Sequence, residues 1–550
     1  MKLPKNRLAQ SLIQLCKAKG IKDIVISPGS RSAPLTIGFT NHSYFNCYSI
    51  VDERCAGFFA LGIAQQLERP VALVCTSGSA LLNYYPAIAE AFYSDIPLVV
   101  LSADRPAHLI GIGDGQTINQ DNVFANHILH ATNLTDDEHQ INESRINLTL
   151  NIAKAQRGPV HINIPFNEPL YDMVDVFSEF PESSYNHDIK KQELLDSFRT
   201  TWNRSQKKMV LVGVNSPNKV EQKYLDLLAN DDSVIVFTET TSNLHHDNFF
   251  PSIDKIIAPL NETDLKELQP DILLTFGGLI VSKKVKAFLR NYQPKEHWHI
   301  DTKKANDTFF CLSKHFKQSV NSFFELFFNN VTSAQSNYQK QWQIVKRDRS
   351  IKHDIYLGTI AYSDLNVFDA VLKSIPNDSI LQLGNSSTVR YAQLFDLNKT
   401  LQVYCNRGTS GIDGSTSTAV GASTTSKKST SFITGDLSFF YDSNALWNNY
   451  IPNNFRIILI NNEGGGIFRI LPGHKNTDNF DTFFETKHQL TATQLCSMHG
   501  FEYTTAKNSS ELSDEMKSFY DSSEHPKLLE VFTPRQINDT VLLNYFKNIK

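Results

Sequence analysis

The feature that most constrains this chain is a repeated unit. A short apolar run is followed by a turn of small or polar residues, then by a segment of helical length. In the first third the runs are Ile24-Val25-Ile26, Tyr48-Ser49-Ile50-Val51, Val71-Ala72-Leu73-Val74 and Leu98-Val99-Val100-Leu101, separated by helical patterns at 32–39, 53–67 and 79–92. Strand, helix, strand at this spacing predicts a parallel sheet covered on both faces.

The unit recurs twice more. A polar, charged stretch at 181–197 reads as a linker, and strands are predicted beyond it at 209–214, 234–237, 272–276 and 298–300. A polar helical stretch, 337–353, leads into strands at 380–383, 402–404, 431–433, 456–460 and 528–531. The prediction is an α/β protein with three doubly wound parallel-sheet domains, at 1–180, 190–335 and 355–550. A length of 550 residues also exceeds what a single core usually supports. One internal echo stands out. Cys75-Thr76-Ser77-Gly78 opens a helix that leads to Pro97 and a strand, and Ile433-Thr434-Gly435-Asp436 opens one that leads to Pro452 and a strand. Duplicated topology would produce this, and so would chance between two parallel-sheet domains.

Bulk properties exclude several functions. A net charge of −4 with 20% charged residues argues against partners held by bulk electrostatics, so no nucleic acid is expected. The first twenty residues are broken by charges and read as an amphipathic helix with Leu8, Leu12, Leu15 and Cys16 on one side. Neither an export signal nor a membrane span is expected. The seven cysteines are scattered and include no Cys-x-x-Cys pair, which argues against a zinc site or disulfide framework. A reducing, cytoplasmic setting fits. His42, His108, His127, His161 and His474 have no metal-ligand spacing.

In open α/β sheets, ligands bind where strands end and helices begin. Four such junctions carry unusual residues: Ser27-Pro28-Gly29-Ser30-Arg31-Ser32, Asp52-Glu53-Arg54, Gly435-Asp436-Leu437-Ser438 and Asn461-Asn462-Glu463-Gly464-Gly465-Gly466. Adjacent parallel strands would make Asp436 and Asn462 neighbours. A carboxylate, an amide oxygen and the Gly464 carbonyl form an oxygen-only site that suits Mg²⁺ completed by water and phosphate oxygens. The plainer alternative is that Asp436 caps a helix and Asn461-Asn462 is a turn.

This arrangement resembles the Gly-Asp-Gly … Asn-Asn signature of thiamine-diphosphate-dependent enzymes, with Leu437 in place of the second glycine. The resemblance implies that Asp436, Asn462 and Gly464 hold Mg²⁺, or Mn²⁺, with Leu437 and Ser438 beside the diphosphate. Glu53 in isolation merely complements a helix dipole. The family, however, needs a glutamate on its first domain to hydrogen-bond the cofactor's aminopyrimidine and help activate it. A glutamate in domain one and a metal motif in domain three is the order of the decarboxylase-like branch.

Further motifs narrow the resemblance: Ser27 to Leu35, Asp52 to Gly62, Thr76-Ser77-Gly78-Ser79-Ala80, Ser102 to Pro106, Gly384-Asn385-Ser386, and Asn406 to Gly414. Together they are similar to the menaquinone-pathway carboligases that join 2-oxoglutarate to isochorismate with loss of CO₂. Leu437 fits that family's own version of the signature. Both substrates are dicarboxylates, which calls for several planar guanidinium partners. The resemblance assigns Ser32, Arg105, Gln116 and Lys283 to isochorismate. It assigns Ser386, Arg390 and Arg407 to 2-oxoglutarate, with Arg31 near the junction and Ser386 also near the cofactor. Ile412 would lie under the cofactor and hold it bent, with Phe468 beside it. Structural ion pairs for the arginines, and core packing for Ile412 and Phe468, are the plainer alternatives. A homodimer with interfacial sites, or a homotetramer, is implied.

Rivals are another thiamine-diphosphate 2-oxoacid decarboxylase, an acetohydroxyacid-synthase-like carboligase, and a cofactor-free binding protein. A nicotinamide enzyme is disfavoured because no Gly-x-Gly-x-x-Gly follows the first strand.

Overall fold

The computed structural model describes residues 2–136, 139–185, 195–470 and 477–550. Three parallel sheets carry the architecture. The first comprises β1 (Asp23–Ile26), β2 (Asn46–Ser49), β3 (Val71–Cys75), β4 (Leu98–Asp104), β5 (His130–Asn133) and β6 (Val160–Pro165), in the spatial order β2-β1-β3-β4-β6-β5. The second comprises β7 (Lys208–Val212), β8 (Val234–Thr238), β9 (Ile272–Phe276), β10 (Glu296–Ile300) and β11 (Leu312–Phe316), ordered β8-β7-β9-β10-β11. The third comprises β12 (Ile380–Leu383), β13 (Gln402–Cys405), β14 (Thr430–Gly435), β15 (Phe455–Asn461), β16 (Glu502–Ala506) and β17 (Lys527–Phe532), ordered β13-β12-β14-β15-β17-β16. Substituting β1–β6 for β12–β17 in turn turns the third order into the first. The echo between 75–101 and 433–460 therefore reflects one topology used twice.

The predicted strands are present, 272–276 and 380–383 with the predicted ends and the others with shifted ends, and four strands of these three sheets were not foreseen. β5, β11 and β16 are outer strands, only partly buried, and lack a continuous apolar run. β6 is buried but alternates with His161 and Asn163, which its neighbour satisfies: Ser102 Oγ lies 2.7 Å from His161 Nε2, and Asn163 Nδ2 donates to Asp104 Oδ2 at 2.8 Å. The strand expected at 48–51 is β2, two residues earlier, and leaves Val51 exposed. The single helix expected at 79–92 is two, Ser79–Asn83 and α2 (Tyr85–Ser94). Pro86 sits in the first turn of the second, where its missing N–H costs nothing.

Helix α1 (Glu53–Leu67) explains how the first and third domains meet. Asp52 caps it by accepting from Cys55 N at 3.2 Å, and Glu68 ends it in the left-handed region at φ 50°. Every residue from Cys55 to Ala64 is buried, because one face packs on its own sheet and the other on a helix of the third domain. Two further helices matter below: α3 (Lys283–Asn291) in the middle domain, and α4 (Ser415–Ser423), the partner of α1. At the α1–α4 crossing a Cβ on Gly62 would lie 2.1 Å from the Thr418 carbonyl oxygen, and one on Gly421 would lie 2.0 Å from that of Phe59. Only glycines permit this approach. Phe58 and Phe59 of the first domain share one core with Phe432, Phe439 and Leu446 of the third. Burial of each such aromatic stabilises by about 1.5–3 kcal/mol.

The polar stretch at 337–353 is the helix Tyr338–Leu357, which anchors Tyr338 and Trp342 in the middle domain's core. Of the expected linker at 181–197, residues 186–194 lie outside the described residues, and the helix Asp196–Arg204 begins within it. His474 also lies outside the described residues. No described helix is long and apolar enough to cross a membrane.

Candidate active site

All four junctions singled out in the sequence lie at carboxyl ends of strands. β14 ends at Gly435, and Asp436 opens α5 (Asp436–Tyr441). β15 is its parallel neighbour, with Gly435 opposite Ile460, so the 462–466 turn emerges beside Asp436. The buried Asp436 carboxylate accepts from Leu437 N at 2.6 Å and from Gly464 N at 2.9 Å. A Cβ on Gly464, whose φ is +148°, would lie 2.6 Å from the Glu485 carbonyl oxygen, so the loop passes through a slot only glycine fits.

The Asn462 amide is oriented by a group the sequence did not reveal. Its Nδ2 donates to Asp364 Oδ2 at 3.0 Å, while Thr533 Oγ1 donates to Asp364 Oδ1 at 2.6 Å. Burial pushes the Asp364 carboxyl up to about 6. With its nitrogen committed to Asp364, Asn462 has its oxygen left for a cation. His488 Nε2 lies 3.3 Å from Asp436 Oδ2, and that contact holds its pKa above the usual histidine range. One carboxylate, one oriented amide oxygen and a glycine carbonyl are the donors a hard cation such as Mg²⁺ requires.

Ser438 Oγ, one turn along α5, donates to the Ile412 carbonyl at 2.6 Å. This ties the 406–414 loop to the metal helix. Ile412 and Phe468 are each more than a third exposed and so are free of the core. Asn385 holds the same loop from below, donating to the carbonyls of Asn406 at 2.7 Å and Gly411 at 2.8 Å. Arg407 Nη1 in turn donates to Asn385 Oδ1 at 2.7 Å. Ser386 sits at φ +65°, a strained conformation for a serine, and accepts through its carbonyl from Arg390 Nη1 at 2.6 Å.

The first domain supplies the other half. Arg31 is buried, donates to the Phe166 carbonyl at 2.9 Å and approaches Glu168 at 3.2 Å. Burial and then the neighbouring Arg105 lower its pKa. Ser32 Oγ is turned back onto the Gly29 carbonyl at 3.0 Å. Arg105 reaches Gly115 and Asp114, and Gln116, at φ +58°, is braced through Ser77. The buried Nε atoms of Arg31, Arg105 and Arg407 have no hydrogen-bond partner. Such donors are costly to leave unmet, and an anionic ligand would satisfy them; the Nε atoms of Arg54, Arg69 and Arg349, away from these junctions, are unmet as well.

Lys283 opens α3 at the middle domain's edge. Glu239 fixes that helix start by accepting from Val281 N and Ser282 N, both at 2.7 Å, and burial pushes its carboxyl up to about 7. The charges acting on Lys286, three residues on, are Glu239, Arg407, Arg290 and Lys283. The helix that Lys283 opens thus approaches Arg407 through Lys286, whereas the first domain's charged pair is Arg31 with Arg105.

Glu53, in the first turn of α1, is partly buried and acts electrostatically on Cys75 and Tyr84. Its flanks bind the far end of α5. Arg54 Nη2 donates to the Tyr441 carbonyl at 2.9 Å, and Asn444 Nδ2 donates to Asp52 Oδ2 at 2.9 Å. Glu53 and Asp436 of one chain therefore belong to opposite ends of α5.

Family models of thiamine pyrophosphate enzymes match this chain in order: the N-terminal binding domain at residues 6–128, the middle domain at 179–383 and the C-terminal binding domain at 384–531. The class is thus a three-domain α/β enzyme that uses thiamine pyrophosphate and forms carbon–carbon bonds. The chain is 58% identical to a 2-succinyl-5-enolpyruvyl-6-hydroxy-3-cyclohexene-1-carboxylate synthase of Christiangramia forsetii, covering all of both chains. It is 56% identical to the synthase of Flavobacterium psychrophilum over 99% of each chain, and 38% identical to that of Porphyromonas gingivalis over 98% of this chain and 96% of the other. It belongs to the 2-succinyl-5-enolpyruvyl-6-hydroxy-3-cyclohexene-1-carboxylate synthase family.

Proposed function

We propose that this enzyme decarboxylates 2-oxoglutarate and adds the remaining four-carbon unit to the ring of isochorismate. The products are 2-succinyl-5-enolpyruvyl-6-hydroxy-3-cyclohexene-1-carboxylate and CO₂, in menaquinone biosynthesis. The observation that carries this reading is a set of arginines at strand ends, the buried Arg31 and Arg407 and the half-buried Arg105, each with an Nε that no hydrogen bond satisfies. Substrates that bring several carboxylates satisfy such donors, whereas a simple 2-oxoacid leaves most of them unpaired.

Thiamine diphosphate, when bound, supplies the electron sink that lets CO₂ leave. The chain's residues hold and orient the rest. Asp436, the Asn462 amide oxygen and the Gly464 carbonyl would hold Mg²⁺, or Mn²⁺, with Leu437 and Ser438 beside the diphosphate. Glu53 would hydrogen-bond the aminopyrimidine and help to activate the cofactor. Ile412 and Phe468 would pack against it. Ser386, Arg390 and Arg407 bind 2-oxoglutarate. Arg31, Ser32, Arg105 and Gln116 bind isochorismate, with Lys283 reaching in from the middle domain. As in the family the chain belongs to, the enzyme is a homodimer in which Glu53 serves the partner's cofactor. A homotetramer would be a pair of such dimers. We take the domains as 1–180, 190–335 and 355–550, and place the enzyme in the cytoplasm, where its seven free cysteines stay reduced.

The test is an assay of purified protein with Mg²⁺, thiamine diphosphate and both substrates. The expected result is CO₂ release coupled to isochorismate consumption. Equal CO₂ release without isochorismate would identify a plain decarboxylase instead.

A further inference from the structure

Glu90, on α2 of the first domain, has no part in the chemistry above, yet it is only 1% exposed and no cation among the described residues pairs with it. Its carboxylate spends its acceptors on a loop of the third domain. Oε1 accepts from Gly408 N at 2.7 Å, and Oε2 accepts from Thr409 N at 2.6 Å and from Thr409 Oγ1 at 2.9 Å. Ser94 Oγ, one turn further along α2, donates to Oε1 at 2.7 Å. The contact is close enough to dictate sequence: a Cβ on Gly408 would lie 2.6 Å from the Glu90 carbonyl oxygen.

Those two backbone N–H groups follow directly on Arg407. The segment before Arg407 is held from another direction. Asn243 of the middle domain pairs with the outer edge of β13 as a strand would, donating to the Val403 carbonyl at 2.9 Å and accepting from Val403 N at 2.8 Å. Arg407 is thus suspended between an amide of the second domain and a carboxylate of the first, with Asn385 beneath it. A guanidinium binds a carboxylate well only when its plane is fixed, and a loop with no regular structure does not fix one by itself.

We propose that Glu90 is a positioning residue for substrate binding: by clamping the Gly408 and Thr409 amides it sets the orientation in which Arg407 meets the carboxylate of 2-oxoglutarate. This rests on the reading of Arg407 given above. It also makes the 2-oxoglutarate side of the site depend on the first domain of the same chain.

The experiment measures KM for each substrate, kcat, thiamine diphosphate affinity and melting temperature for the wild type, Glu90→Gln and Thr409→Val. Glutamine keeps the shape of the side chain but turns an N–H₂ toward one of the donors. The expected result is a rise of roughly tenfold or more in KM for 2-oxoglutarate in Glu90→Gln, with the isochorismate KM and cofactor affinity little changed. Thr409→Val, which loses one of the four bonds, should shift the same parameter by less. A Glu90→Gln variant that keeps the wild-type 2-oxoglutarate KM, or that worsens all three constants together with the melting temperature, overturns the proposal. Should Glu90→Gln fail to fold, an unchanged 2-oxoglutarate KM in Thr409→Val overturns it equally. Absence of wild-type turnover would instead overturn the reading of the site as a whole.

Discussion

At the end of β3 the chain runs through Thr76-Ser77-Gly78 into a helix, and at the end of its counterpart β14 it runs through Gly435-Asp436 into α5. β4 ends at Asp104-Arg105, and its counterpart β15 at Asn461-Asn462. β2 leads to Glu53, and β13 leads to Arg407. The strand order is the same in both domains, so corresponding residues occupy corresponding places on the two sheet edges. What differs is a handful of side chains. The third domain presents oxygen ligands and glycine backbone, suited to a metal and a diphosphate. The first presents a carboxylate, hydroxyls and two arginines, suited to an aminopyrimidine and an anionic substrate. Fold supplies the positions and does not choose their chemistry.

The sharpest way to break this division is to alter one member of each domain. Asp436→Ala should abolish Mg²⁺-dependent retention of thiamine diphosphate; unchanged cofactor affinity by titration would remove the metal role from the third domain. Glu53→Gln should lower kcat by roughly 10²–10⁴ with cofactor still bound, the scale of a positioned acid–base group. Near-normal turnover there would erase the first domain's part.

Swapping guanidinium for ammonium sharpens the comparison further. Arg105→Lys should raise KM for isochorismate and Arg407→Lys that for 2-oxoglutarate, each by roughly 10–100-fold, since one bidentate pair is lost in each case. Crossed effects in steady-state kinetics would show that the two domains share rather than divide the substrates.

The joint between the domains can be tested by Gly62→Ala. Its Cβ would lie 2.1 Å from the Thr418 carbonyl oxygen, so the helices must part, at a cost of about 1–3 kcal/mol. Calorimetry should show a lower melting temperature; no change would mean the α1–α4 crossing has slack.

The smallest expected effect concerns Glu239 and the middle domain. Its pKa in the folded protein, about 7, is above the ordinary value of 4.5. The folded state therefore holds this proton more tightly, and its contribution to stability is present below pH 4.5 and fades as pH rises through 7. The wild type's advantage over Glu239→Gln should shrink between pH 5 and pH 8 in melting experiments. A gap independent of pH would exclude the effect.

Much of this was legible in the chain. Continuous apolar runs announced the central strands, because a parallel sheet buries both faces of a strand. Outer strands such as β5 (His-Ala-Thr-Asn) carry no such run and were invisible. At the candidate site, Asp436 and Asn462 stood out as polar residues at glycine-containing strand ends, and Glu53 stood out only through the family resemblance. Asp364 and Glu90 could not. Each is an ordinary polar residue whose meaning is its hydrogen-bond partner, and those partners lie 98 and 318 residues away.

The sequence by itself determined the kind of sheet, the number of α/β units and the residues proposed to bind a metal, because period, length and turn chemistry are local properties. Only the tertiary structure decided which of them meet. It brought Asp364 behind Asn462, brought Lys286 of α3 within reach of Arg407, and set the residues flanking Glu53 against the end of α5 opposite Asp436. Those facts depend on how sheets and helices pack across hundreds of residues, and no local pattern encodes that.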